Sequence, residues 1–244
     1  MTSLATREAA RALDGAAVEM GVPVQMLMAL AGFQCASLAR ELLLEARGRG
    51  ASAAVLVGRG NNGGDALVCA RHLQDWGFAV RILLPVPAPE LGASAGLAGA
   101  AVSAGALAVA LTEEPSSELA TGRVLEDTAL VVDGLLGTGS AGAPREPVAG
   151  VIRRVNRSSA TVLAVDLPSG LDADTGTVAG ECIRAHHTLM LGAPKVGCLQ
   201  PPARHWVGRA WLADIGIPRA AYLRAGLDPP LVRGPAPVPC DPPG

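Results

Sequence analysis

The chain has 244 residues, half of them hydrophobic, enough for one sizeable domain with its own core. Aromatics make up only 2%, so that core is aliphatic. The 20 basic and 22 acidic residues balance to a net charge of −2, and no basic arm or acidic run appears, which argues against a nucleic-acid partner.

In chain order, "MTSLATREAARALDG" carries charges where a secretory signal needs an apolar core. Thr6–Met20 reads as a helix stopped by Gly21, and Val22-Pro23 restarts the chain. Apolar residues then recur at helical spacing from Met26 to Leu44. "AAVLVG" (Ala53–Gly58) reads as a buried strand, Gly64–Gly77 as a helix, and "AVRILLP" (Ala79–Pro85) as a strand. "LGASAGLAGAAVSAGALAVAL" comes nearest to a membrane span but is glycine-broken. It reads as a helix around Leu91–Ser103 followed by a strand, so no membrane partner is expected. "ALVVDG" (Ala129–Gly134) is a strand, "PVAGVIRRVNRS" a helix, and "TVLAVDLPSG" (Thr161–Gly170) a strand. His187–Gly192 and Arg209–Gly216 read as late strands. The segment from Leu227 is proline-rich and is expected to be poorly ordered, which divides the chain into a domain over 1–226 and a tail or linker over 227–244. Apolar strands alternating with helices predict an α/β sandwich around a largely parallel sheet.

Cys35, Cys69, Cys182, Cys198 and Cys240 form no CxxC pair, and they read as free thiols of a reducing, cytoplasmic setting. Lys195 is the only lysine, the other 19 of the 20 basic residues being arginine.

Three strand ends carry polar, glycine-marked loops: "GRGNNGGD", "DGLLGTG" and "DLPSGLD". In a parallel sheet such loops share the edge at which ligands bind. Gly58–Gly63 fits G-x-G-x-x-G by spacing, but the following strand ends "ILLPVPAP", without the acid that would hold a ribose. Glycines and a helix N-terminus still favour an anion such as phosphate. Asp65 reads either as a helix cap or as a ligand-binding residue, and Asn61 and Asn62 as turn formers or ligand contacts. Gly137, Thr138 and Gly139 offer backbone donors, and Arg145 a phosphate fork or a surface charge. Asp133 and Asp166 end apolar strands; desolvation there would suit Asp166 to general acid–base chemistry. Asp172 and Asp174 read as solvated turn residues. Asn62, Asp133 and Ser169 all present oxygen, which suits a hard cation without choosing among sodium, potassium and magnesium.

"GNNGGD", "VVDGLLGTG", "AVDLPSGLDADTG" and "GAPKVG…DIGIP" occur here in the order seen in the NAD(P)H-hydrate epimerases, the YjeF N-terminal domain family, and the resemblance runs from Met1 to Pro218. It implies a Rossmann-like three-layer αβα sandwich, usually homodimeric. The implied reaction is interconversion of the R and S forms of hydrated NADH and NADPH (NADHX and NADPHX), feeding a separate dehydratase. It implies substrate contacts at Asn61, Asn62, Gly63, Gly64 and Asp65, along Gly137, Thr138, Gly139, Ser140, Ala141, Gly142 and Ala143, and at Asp166. Asp166 would be the catalytic acid–base, and Asn62, Asp133 and Ser169 would bind a potassium ion. Lys195 and Arg145 are further candidate contacts. Ala29 and Ala66 depart from the family pattern, where glutamate and glycine are usual, and His186 stands where aspartate is common. A catalytically inactive nucleotide-binding or scaffold module of the same fold is the alternative.

Overall fold

The structure, a computed structural model, describes residues 3–47, 51–85, 103, 105–110, 122, 124–230 and 234–240. Two helices open the chain, α1 (Arg7–Glu19) and α2 (Val24–Arg47). The Thr6 hydroxyl accepts a bond from the Ala9 N–H and caps α1. Strand β1 (Ser52–Val57) leads into α3 (Asn61–Asp75), and β2 (Ala79–Leu84), β3 (Leu107–Ala110) and β4 (Leu130–Gly134) follow. Then come α4 (Val148–Val155), β5 (Thr161–Val165), β6 (His187–Leu191), a short α5 (Arg204–Val207), β7 (Arg209–Ala213), α6 (Arg219–Arg224) and β8 (Val238–Pro239). The helix expected around Leu91–Ser103 lies, apart from Ser103, outside the described residues.

The eight strands form one sheet in the order β3-β2-β1-β4-β5-β6-β7-β8. Every pairing is parallel except that of β7 with β8. The strands are apolar on both faces because both are covered. Val55, Val57, Val132, Leu163 and Val165 face the layer made by α1, α2, α3 and α6. Ala54, Leu56, Val131, Val162 and Ala164 face α4 on the other side. Met190 and Leu212 pack against the segment carrying Cys198 and Val207. This is the three-layer α/β sandwich expected from the alternation.

One expectation changes. The proline-rich tail is not without structure, since Val238 and Pro239 pair with Leu212 and Trp211 as an antiparallel edge strand. A proline is tolerated there because an edge strand has one side free of ladder bonds. Among the described residues, α2 is long and apolar enough to cross a bilayer by length and composition, while the glycine-rich segment lies mostly outside the described residues. One apolar face of α2 is buried against α3 and the sheet, while Met26, Leu30 and Phe33 are exposed. Gly32 makes the α2–α3 contact close, because a Cβ there would lie 2.3 Å from that of Val68.

The strand order reverses at β1, whose neighbours β2 and β4 lead away in opposite directions. Loops leaving β1 and β4 part at such a point and open a crevice at the carboxyl edge.

Candidate active site

That crevice is a cleft of about 850 Å³. Its walls come from α1 (Arg11, Asp14), the start of α2, the β1 loop (Gly58–Asn62), the stretch 135–148, Asp166 and Lys195. Among the expected site residues, Asn61, Asn62, Asp65, Asp166, Lys195, Arg145 and all of Gly137–Ala143 line it. Gly63 and Gly64 do not; they are buried in the first turn of α3.

The β1 loop folds differently from the expectation. The helix α3 starts at Asn61 with Gly60 as its cap residue, so both asparagines are helical and Asp65 lies beyond the first turn. Asp65 is therefore not a cap; it is a buried carboxyl facing the cleft. The glycines have a packing role that the motif conceals. A Cβ on Gly58 would come within 1.7 Å of the Leu135 carbonyl oxygen, and one on Gly63 within 2.0 Å of that of Gly58. The bare backbone lets the β1 and β4 loops touch, and Gly58 N–H donates to the Gly134 carbonyl at 3.0 Å.

Beneath the cleft floor, Asp133, Ser169 and Asn62 come together. Asp133 is fully buried. Its Oδ1 accepts from the Ser169 hydroxyl at 2.7 Å and its Oδ2 from the Ser169 N–H at 2.8 Å. Leu136 N–H donates to Ser169 Oγ at 2.9 Å, and Asn62 Nδ2 donates to the Leu136 carbonyl at 2.9 Å. Burial pushes the Asp133 carboxyl up to about 6, opposed by its bonds from Ser169 and Leu135. Asn62 Oδ1 is buried without a hydrogen-bond partner. Such an orphan acceptor is unfavourable unless something electropositive meets it.

Asp166 terminates β5 with φ of 67°, the left-handed region, and is the sole non-glycine residue with positive φ among those described. Its N–H donates to the Leu189 carbonyl at 2.8 Å, and its Oδ1 accepts from the Leu191 N–H at 3.1 Å. The same oxygen is ion-paired with the Lys195 ammonium. Lys195 is itself buried, and its Nζ also donates to the Leu191 carbonyl at 2.7 Å. Asp166 thus carries its own counter-charge. The cleft carboxyls pushed upward are Asp65 and Asp14. Asp65 is driven well up by burial, then by the charges of Asp166 and Asp14, against Lys195. Asp14 is raised by dehydration within the cleft, with Lys195 opposing and Asp166 adding.

Asp14 and Arg11 escaped the reading of the sequence. They occupy ordinary positions of an amphipathic helix, and only the packing of α1 turns them toward the cleft. Asp172 and Asp174 are not merely solvated turn residues, since both pair with Arg7. Of the departures noted above, Ala66 is buried with Gly134 opposite it, where any Cβ would lie 2.5 Å from its own. Ala29 is exposed and outside the cleft wall. His186 Nδ1 accepts from the Val162 N–H at 3.0 Å and so braces β5.

Residues 24–197 match the family model described as YjeF-related protein N-terminus. The chain is 42% identical over 166 residues to the bifunctional NAD(P)H-hydrate repair enzyme of Leishmania major, covering 67% of this chain and 28% of that protein. It is 38% identical over 225 residues to the NAD(P)H-hydrate epimerase of Dehalogenimonas lykanthroporepellens, covering 89% of this chain and 83% of that protein. The chain therefore spans little more than a quarter of one relative and most of the other. The crystal structure of yeast ynu0 has the same fold, with a TM-score of 0.81 and 24% identity, over 98% of this chain and 100% of that one.

Proposed function

The chain belongs to the YjeF-related N-terminal family, and from that premise we propose that it is a cofactor-repair epimerase interconverting the R and S forms of hydrated NADH and NADPH. The observation that carries this reading is the convergence of the β1, β4 and β5 loops on one cleft, with Asp166 and its ion-paired Lys195 in the wall.

Epimerisation at the hydrated ring carbon requires the C–O bond to break and a water to add from the other face. A proton held at the Asp166–Lys195 pair goes through an Asp166 oxygen to the departing hydroxyl, which leaves as water. The ring nitrogen lone pair stabilises the resulting cation. Water adds at the opposite face and gives one proton back to the Asp166 carboxylate, which restores the Asp166–Lys195 pair, so that atoms and charge balance over the cycle. Gly137–Ala143 and Arg145, which line the cleft, suit the phosphates of the dinucleotide.

Asn62, Asp133 and Ser169 fit a potassium ion. Their donors are amide, carboxylate and hydroxyl oxygens, and the partnerless buried Asn62 Oδ1 is the acceptor that such an ion would satisfy. When bound, the ion supplies a positive charge that ties the three loop ends together.

The same reading makes the protein a cytoplasmic partner of a dehydratase that consumes the S form. It assigns catalysis to residues 1–226, with 227–244 as a tail or linker whose Val238 and Pro239 pair with the domain as β8. It also makes the chain a homodimer, supported by the exposed Met26, Leu30 and Phe33 at helical spacing on α2.

The test supplies pure R-NADHX with a dehydratase specific for the S form and follows NADH. The protein should raise the rate above the uncoupled control. No acceleration would favour the inactive binding module instead.

A further inference from the structure

The segment ahead of α1 lies outside the stretch matched by the family model, yet it reaches the reaction site. Ala5, fully buried, forms a parallel bridge with Lys195. Its N–H donates to the Pro194 carbonyl at 2.7 Å, and its carbonyl accepts from the Val196 N–H at 3.0 Å. Two residues on, Arg7 N–H donates to Asp174 Oδ1 at 2.6 Å, and the Arg7 guanidinium bonds Asp172 at 3.1 Å. The strap therefore grips both loops that meet at Asp166: the one carrying Lys195 and the one that continues from β5.

Asp166 needs such support. It stands in a left-handed conformation that an L-residue holds only when its surroundings impose it. Its backbone is held by the bond of its own N–H to the Leu189 carbonyl and by the bond of the Leu167 N–H to the Val165 carbonyl, both 2.8 Å, and its carboxylate by the Leu191 N–H and the ion pair with Lys195. The lysine can hold the carboxylate only if its own backbone is fixed, because its four-carbon stem is otherwise flexible. Ala5 supplies backbone bonds to residues 194 and 196, on either side of the Lys195 N–H, which itself donates to Met190 Sδ at 3.3 Å.

We propose that the strap over residues 3–7 is a positioning element of the reaction site: it clamps the backbone of Lys195, and Lys195 holds the Asp166 carboxylate where the reaction needs it. Lys195 is then a positioning residue, acting through Asp166 rather than on the substrate. The inference rests on the assignment of Asp166 as the acid–base.

The test compares Ala5→Pro, which removes the donor to Pro194, with Arg7→Ala, Lys195→Met and the double variant Arg7→Ala/Lys195→Met. In the coupled repair assay Lys195→Met should lower kcat about 10²-fold, the effect of misplacing a reacting group by about 1 Å, with KM little changed. Ala5→Pro should lower kcat about 10-fold, as expected for one backbone hydrogen bond. Should Ala5→Pro fail to fold, Arg7→Ala reads the same clamp from its end at Asp172 and Asp174, and should likewise lower kcat. The double variant should be less than additive, because both changes act through one carboxylate. Wild-type kcat in Lys195→Met, or a rise in KM alone, would overturn the proposal by making the lysine a substrate contact or a structural residue. If the wild-type protein itself fails to accelerate repair, the functional reading fails separately. The positioning claim is then decided by the crystal structure of Lys195→Met: the Asp166 carboxylate should leave the Leu191 N–H, and an unmoved carboxylate would sink it.

Discussion

Asp166 combines a left-handed backbone, a charged partner and a place in the cleft wall, and it is the residue to which the proposed reaction assigns the proton transfer. Asp166→Asn keeps the size and shape of the side chain but cannot cycle a proton. It should cut kcat by about 10²- to 10⁴-fold, the usual contribution of a general acid–base, while the far-ultraviolet circular dichroism stays that of the wild type. Retention of the wild-type rate above the spontaneous background would remove Asp166 from this role. Asp65 presents a different case. An aspartate in the unfolded chain titrates near pH 4, whereas buried Asp65 holds its proton to higher pH. Over that window the folded state binds more protons than the unfolded one, so the contribution of Asp65 to stability falls as pH rises. Asp65→Asn removes this dependence, and its melting temperature should fall less between pH 5 and 8 than that of the wild type. Parallel curves would mean that Asp65 is ionised in the folded protein. The reading of "NNGGD" located Asp65 but assigned it either capping or ligand binding, because it expected the helix to start at Gly64, and the start at Asn61, three residues earlier, turns a cap into a buried side chain.

At the scale of elements, the glycines of the β1 loop illustrate how a motif can be right in place and incomplete in reason. Their spacing predicts a phosphate-binding turn, while the folded loops use Gly58 and Gly63 for backbone contacts shorter than any side chain permits. Gly32 does the same between α2 and α3, with Val68 Cβ and the Asp65 carbonyl within 2.7 Å of where a Cβ would lie. Gly32→Ala should cost about 1–3 kcal/mol through overpacking, read from the urea midpoint. An unchanged midpoint would mean that the two helices separate freely. Hydrophobic runs and stop signals placed the strands through β7, with the exception of residues the structure does not describe, because parallel strands covered on both faces must be apolar throughout. Helix α6 and strand β8 were not legible. Six residues and two residues carry too little periodicity, and they are held by contacts with distant elements: Tyr222 OH donates to the Gly192 carbonyl at 2.8 Å, and β8 leans on β7.

At the scale of the whole molecule, two predictions follow from surfaces and cavities that the sheet assembles. Potassium chloride should raise the melting temperature relative to choline chloride at equal ionic strength, by an increment equivalent to about 2.7 kcal/mol at a hundredfold excess over Kd. Asn62→Ala should erase the difference between the salts; a persistent difference would place the cation elsewhere. Leu30→Glu on the exposed face of α2 should shift the sedimenting species from dimer to monomer, and an unchanged mass would move the interface off α2. By itself, the order of apolar runs and loop motifs determined the α/β class, the strand-end placement of Asp133 and Asp166, and the family, since these depend on local pattern along one chain. Only the tertiary structure decided which side chains share the cleft. Asp14 reaches it because α1 docks beside the sheet edge, and Lys195 meets Asp166 across 29 positions of sequence because β5 and β6 are neighbours in the sheet. Ala5 reaches Lys195 only through a bridge between the two ends of the domain. Long-range pairings of this kind leave no periodicity in the chain; they arise from burying apolar faces, and the polar groups that come along must then find partners where the packing puts them.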